Sequence, residues 1–418
     1  MKHLNEIFFS SFLAVLCVCS ILPLSAQSTT NMYTVISGMI VDKSNDDPLI
    51  YANISVPNTN IGTVTNTEGR FSLKIPDSVA VKEINISHIG YKNYTFSIQK
   101  GNATDLYLSL APAVTALREV IIHAPDVREI VENAVHKIKD NYSNTNNLLT
   151  GFYRETVKKK NHFISVSEAV MGVYKQKHSA SYNNDRTEVY KGRKLLSQKA
   201  SDTLAVKLLG GPNLVIYADV VKNPDLLIST EAMAEYNFHL KKSTIIDKRY
   251  QYVIAFEPRF ITPYALYIGE LYIDKESLAI TRAIFHLDTE DINKATSMIL
   301  KKKPKGLRFK PTGVNFIVTY ETEADGFTYL RYIRNEVNFN CDWKRHFFAT
   351  KYSVTSEMVI TDRQIAENRI PWRRSFRKYQ SLTDKVEDFQ DPNFWEDYNI
   401  LEPTETLDKA VNKLKKKR

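Results

Sequence analysis

Through most of this chain, polarity alternates every second residue, and that period limits the possible folds more than any other feature. Tyr250, Tyr252, Ile254 and Phe256 fall on one side of an extended segment, with Gln251 and Glu257 on the other. Val314, Phe316, Val318 and Tyr320 repeat the pattern, and Thr328–Val337 returns across Ala324-Asp325-Gly326. Tyr267–Asp274 and Ala279–Leu287 flank the turn Lys275-Glu276-Ser277. A period of two with turn residues between runs is the mark of half-buried strands joined as hairpins. Composition agrees: 23 Tyr and 20 Phe against only 14 Gly favour antiparallel sheet over a Gly-rich nucleotide-binding α/β fold. With 43% apolar and 25% charged residues, collagen and disorder throughout are excluded. The 418 residues suggest two or three domains.

Residues 33–112 form the first unit. Short β segments at Val35–Asp42, Ala52–Val56, Gly62–Asn66, Gly69–Leu73, Ile84–His88, Thr95–Ile98 and Leu106–Leu110 are separated by turn residues such as Asp46-Asp47-Pro48 and Asn58–Asn60. Seven short strands at this spacing predict a β-sandwich. The motifs Gly38-x-Ile40-x-Asp42, Pro48-Leu49-x-Tyr51-Ala52-Asn53-Ile54, Gly62-Thr63-x-Thr65-Asn66-x-x-Gly69-x-Phe71-x-Leu73 and Ser87-x-Ile89-Gly90-Tyr91 occur in that order. They resemble the carboxypeptidase regulatory-like domain. The resemblance implies an Ig- or transthyretin-like sandwich that accompanies enzymes and outer-membrane receptors and is not itself catalytic.

Residues 113–125 read as a linker, and Leu117–Ile122 resembles the short segment that follows this domain in TonB-dependent receptors. Pro125 and Asp126 then open a helix, with Val127, Ile130, Val131, Ala134, Val135 and Ile138 on one face over 126–142. From 126 to 359 the expectation is this helix plus a larger curved antiparallel sheet. The phrase Gly269-Glu270-Leu271-Tyr272-Ile273-Asp274 with Ala279-Ile280-Thr281-Arg282 resembles the central hairpin of outer-membrane lipoprotein carrier-type half-barrels, whose helices lie in the concave side. Residues 360–418 are blocks of charge: six basic and one acidic over 363–380, nine acidic and one basic over 381–408, six basic over 409–418. The second of two short helices there is expected at about Thr406–Lys415. The whole chain is therefore expected to be mainly β, with a few helices.

The first 26 residues read as a secretory signal: Lys2, an apolar run through Leu24, and small residues Ser25-Ala26 before Gln27. No later run is long enough for a transmembrane helix. Cys17 and Cys19 lie in the signal, which leaves Cys341 with no internal partner. Export without disulfides fits a bacterial envelope, so the expected location is the periplasm or the outer membrane's surface.

Motifs for chemistry are sparse. The only His-x-x-Glu, His3 to Glu6, lies in the signal, and His286 with Glu290 has no second His nearby, so no metal is expected. Asp42, Ser44 and Asp46 suggest a calcium loop but lack its Gly and its twelfth-position Glu. Gly-x-Ser-x-Gly, Walker and Gly-x-Gly-x-x-Gly motifs are missing, and no cofactor is expected. Cys341 and His346, five apart on a strand, point to opposite faces. Lys301–Lys310 reads as a solvated hairpin loop. Two sets of residues are candidates for binding. Tyr252, Phe256, Phe316 and Tyr320 either line a lipophilic groove or pack as core. Arg369, Trp372, Arg373, Arg374 and Arg377 either pair with the acidic block from Asp384 or contact an anionic envelope surface; nucleic acid is not expected as a partner. The expectation is a non-enzymatic exported envelope protein that binds or assembles with an envelope protein. The alternatives are a periplasmic carrier of an apolar ligand and a hydrolase with a dispersed site.

Overall fold

Strand alternation resolves into two small sheets within residues 33–110 and one long sheet beyond them. The computed structural model describes residues 33–99, 101–113, 126–199, 202, 210–300, 305–343, 349–388, 394–395 and 398–415. The signal segment, Leu117–Ile122, Pro125 and His346 lie outside the described residues. Among the described residues no helix is long and apolar enough to cross a membrane.

All seven expected strands of the sandwich are present: β1 (Tyr33–Asp42), β2 (Asn53–Ser55), β3 (Gly62–Val64), β4 (Arg70–Pro76), β5 (Glu83–Ser87), β6 (Tyr94–Ser97) and β7 (Ala103–Leu110). Sheets β4-β1-β7 and β3-β2-β5-β6 close over Ile36, Ile40, Ile54, Phe71, Leu73, Ile84 and Ile86. The motif residues have mechanical roles. Thr65 Oγ1 donates to Leu49 O at 2.6 Å and accepts from Ala52 N at 2.8 Å, tying the second motif to the third. Asn66 Oδ1 accepts from Glu68 N and Arg70 N, forming the turn before β4. Gly69 sits at φ +72° with a would-be Cβ 2.6 Å from Ile40 O, so only glycine fits there. Asp42, read as a candidate calcium ligand, accepts from Ser44 N, Ser44 Oγ and Tyr91 OH and so closes a turn.

The large sheet is antiparallel over ten strands: β8 (Asn147–Lys159), β9 (His162–Lys175), β10 (Arg186–Leu196), β11 (Tyr236–Ile246), β12 (Arg249–Pro258), β13 (Tyr267–Asp274), β14 (Ile280–Leu287), β15 (Leu307–Thr322), β16 (Thr328–Trp343) and β17 (Thr350–Ile365). The order is β11-β12-β13-β14-β15-β16-β17-β8-β9-β10, and a two-residue β18 (Glu387–Asp388) adds in parallel beside β10. The sheet does not close. It reaches Ile365, six residues past the expected boundary. Arg308 and Lys310, expected in a solvated loop, lie on β15, where Arg308 Nε donates to Asp342 at 2.7 Å.

Both faces of this sheet are covered at its centre. The inner face presents Tyr153, Met171, Ile254, Phe285, Val318, Ile333 and Met358. Against it pack Ile130, Val131 and Ala134 of α1 (Val127–His136), whose N-cap Asp126 accepts from Arg128 N and Glu129 N. The expected helix over 126–142 breaks at Lys137 into α1 and a single turn, α2 (Ile138–Asn141). The inner cover continues with the 210–234 segment, including α3 (Gly211–Tyr217) and α4 (Thr230–Met233), which contributes Val215, Val220, Ile228 and Met233, and with Phe376, Leu382 and Val386 of the returning chain. A short α5 (Ile292–Ile299) buries Ala295 beside Val314. The outer face presents Phe152, Val170, Tyr332 and Val359 to Val64 and Tyr51 of the sandwich and to Trp395 and Leu401 of the C-terminal segment. That segment ends in α6 (Glu405–Lys415), the second of the two expected C-terminal helices.

Candidate functional site

The four aromatics expected on the inner face share one packed core. Phe256 and Tyr320 are buried, and Tyr252 and Phe316 pack partly buried against the same cluster. Phe316 stacks on Phe285 at 4.8 Å, and Tyr252 lies under the Lys275 ammonium at 4.8 Å. The Tyr320 hydroxyl is committed to Asp219 at 2.7 Å, and burial raises its pKa far above the usual phenol value.

Beneath the 210–234 segment lies a group of buried ionisable residues that sequence reasoning missed. Asp219 accepts from Lys175 and from Tyr320. Burial alone would raise its pKa, but the Lys175 charge and hydrogen bond hold it below the ordinary carboxylate value. Lys222 Nζ donates to the carbonyls of Gln176, Lys177 and Ala180 at 2.7–2.9 Å. His178 beside them is pulled down to about 4, by burial first and then by Lys175. These groups bond to one another and to backbone, so the cluster fastens the inner cover to the sheet.

A groove open to solvent runs along β10. It encloses about 530 Å³ between Val189–Gly192 and the returning chain at 373–387. The sequence-predicted basic cluster lies here or beside it. Arg373, Arg374 and Arg377 line it; Lys191, Lys385 and one carboxylate, Glu387, join them, with Tyr190, Phe376 and Phe394 as apolar walls. The returning segment is pinned by backbone and side-chain bonds. Phe376 N donates to Thr187 O at 2.7 Å, Asn213 Nδ2 of α3 to Phe376 O at 2.9 Å, and Lys194 Nζ to Thr383 O at 2.6 Å. Arg369 Nη2 donates to Asn184 O at 2.7 Å. The guanidinium groups of Arg186 and Arg377 both lie over the Trp372 ring, 5.4 and 5.0 Å from its centre.

Internal pairing reaches only part of the cluster. Arg374 makes a bidentate contact with Glu188 of β10, at 2.6 and 2.8 Å. Its partner is thus on the sheet and not in the acidic block, which corrects the expectation from charge blocks alone. Lys191 stands 4.7 Å over the Phe394 ring. The side chains of Arg373 and Lys385 are exposed and have neither a hydrogen bond nor an acidic partner among the described residues. Sequence reading missed Lys191, Glu188 and Lys385 because the first two sit on a strand some 180 residues upstream. Among the described residues no three His, Cys, Asp or Glu side chains are placed to hold a metal, and Cys341 is a buried thiol.

Residues 36–122 match the family model of the CarboxypepD_reg-like domain, the sandwich expected from its four motifs. No curated protein matches the chain. Among solved structures, the chain is similar to an outer membrane lipoprotein-sorting protein domain from Vibrio parahaemolyticus at 10% identity, covering 58% of this chain and 93% of that one, with a TM-score of 0.26. It is similar also to a DUF1329 family protein from Desulfovibrio piger at 11% identity, covering 56% and 94%, with a TM-score of 0.23. At those TM-scores the likenesses carry no argument.

Proposed function

We propose that the chain is an exported, non-enzymatic protein of the bacterial envelope that binds or assembles with a partner through the basic groove along β10. One observation carries this reading. The centre of each face of the large sheet is occupied by the chain's own helices, sandwich and C-terminal segment, while the groove leaves Arg373 and Lys385 exposed without acidic partners among the described residues. The sandwich supports the reading as a rigid, non-catalytic brace on the outer face. A carrier of an apolar ligand would need the inner face open, and α1 with the 210–234 segment fills it.

Cell fractionation tests the proposal. The chain is expected in the envelope membrane fraction, processed before Gln27. Reversing Arg373→Glu and Lys385→Glu together is expected to release it to the soluble periplasmic fraction, whereas reversing the exposed Lys43 and Lys82 of the sandwich is not. An unprocessed cytosolic chain, or a distribution indifferent to the groove, would overturn it.

A further inference from the structure

We infer that the partner of this groove is the phosphate-bearing headgroup layer of an anionic lipid bilayer, an inference that rests on the groove reading above. Among the described residues its lining holds five cations and one carboxylate, Glu387; Arg374 is in an ion pair with Glu188, and the side chains of Arg373 and Lys385 have no acidic partner there. A guanidinium presents a flat fork of donors that matches a phosphate, and the groove is lined by Arg373 and Arg377 together with the ammonium of Lys385. The volume of about 530 Å³ suits one headgroup.

The neighbours of the groove select a bilayer over a soluble phosphate compound. Trp372 is 59% exposed and Tyr379 64% exposed. Neither is loose: Arg377 lies over the Trp372 ring and donates through Nη1 to the Tyr379 hydroxyl at 3.0 Å. Two exposed rings held rigid by the guanidinium that faces the groove cost stability in water. At a membrane surface they take the place that Trp and Tyr favour, apolar body towards acyl chains and polar edge among headgroups. Cations beside such rings add roughly fivefold in affinity each on an anionic leaflet.

The test is co-sedimentation of the full processed chain with vesicles. Binding is expected to phosphatidylcholine mixed with phosphatidylglycerol, to weaken steeply as salt rises, and to be absent on phosphatidylcholine alone. The triple variant Arg373→Gln, Arg377→Gln, Lys385→Gln is expected to bind about a hundredfold more weakly. A charge-matched control at Lys43, Lys82 and Lys139 should stay within about twofold. Should the triple variant fail to fold, Lys385→Gln alone is expected to cost about fivefold. Equal binding to neutral vesicles, or a triple variant that binds like the control, overturns the inference. So does saturable uptake of inorganic phosphate by a chain that ignores vesicles, which would assign the groove to a soluble phosphate compound. If vesicles are ignored while the charge reversal still releases the chain in cells, the lipid is wrong and the groove reading stands.

Discussion

Tyr51 of the sandwich stacks on Tyr332 of the large sheet, with ring centroids 5.0 Å apart and planes 28° from parallel. Tyr51 holds φ at +60°, a left-handed conformation that costs a residue with a Cβ about 1–2 kcal/mol. The docked ring offsets that strain. Around it, Arg331 Nη1 donates to Ile360 O at 2.9 Å, and Asn60 of the sandwich exchanges hydrogen bonds with Arg363 at 2.7 and 3.1 Å. The sandwich and the sheet are therefore expected to unfold in one calorimetric transition, and a proteolytic nick between 114 and 125 to leave two pieces that co-elute. A double-mutant cycle of Tyr51→Ala with Tyr332→Ala should give a coupling of about 1 kcal/mol. Two resolved transitions would show that the units are independent.

Arg282 lies under the same interface. It is nine-tenths buried, opposite Tyr272 in register, with no hydrogen bond among the described residues and its Nε unsatisfied. Burial lowers its pKa. A buried charge without a partner is a net cost, and a hydrophobic group of similar length removes it. Arg282→Met is expected to leave the urea midpoint unchanged or raise it. A loss of more than about 2 kcal/mol would reveal a partner that this account lacks.

Phe256 packs edge-on against Tyr236 at 5.4 Å inside the covered core. Phe256→Ala should cost about 3–5 kcal/mol. Binding of a hydrophobic dye to the folded wild-type chain should be negligible. A small stability loss paired with reduced dye uptake would point to an open inner face.

Two buried histidines should loosen the fold in mild acid. His178 and His88 are both pulled down from 6.5 to about 4, by burial first, then by Lys175 and Arg282 respectively. The unfolded chain therefore binds protons between pH 6.5 and 4 that the folded chain refuses. Their contribution is complete above pH 6.5 and falls with acidity, by up to about 1.4 kcal/mol per pH unit for each. Asp185, pushed up to about 6 by burial, works in the opposite direction below pH 6, as do Glu155, Glu323, Glu402 and Asp408, which burial also raises, so the histidine contribution is read as the difference between the wild-type chain and a histidine variant. Urea midpoints at pH 7 and pH 5, compared between the wild-type chain and His178→Asn, check it: the wild type should lose more, or gain less, on acidification than the variant. Equal pH dependence in the two contradicts the assignment.

Residues whose role is local were legible in the sequence. Asn66 and Gly69 announce their turn because each bonds or bends within a few positions, and the hairpin at Tyr267–Leu287 carries its own turn, where Asp274 accepts from Glu276 N and Ser277 N. The covers of the sheet were not legible. Helices α3 and α4 have seven and four residues, too short to display a helical period, and Trp395 and Leu401 come from a charged segment with no period at all. The groove was half legible: its arginines are adjacent in sequence, but Glu188 and Lys191 join them only through pairing across the fold.

Binding through the β10 groove, and not through the inner face of the sheet, is what the proposed function requires. Photo-crosslinking in intact envelopes separates the two, with the reactive residue placed at Tyr190 in the groove or at Tyr252 on the inner face. Adducts are expected from position 190, disappearing with Arg373→Glu and Lys385→Glu, and none from position 252. Adducts from position 252, with position 190 silent, would contradict it.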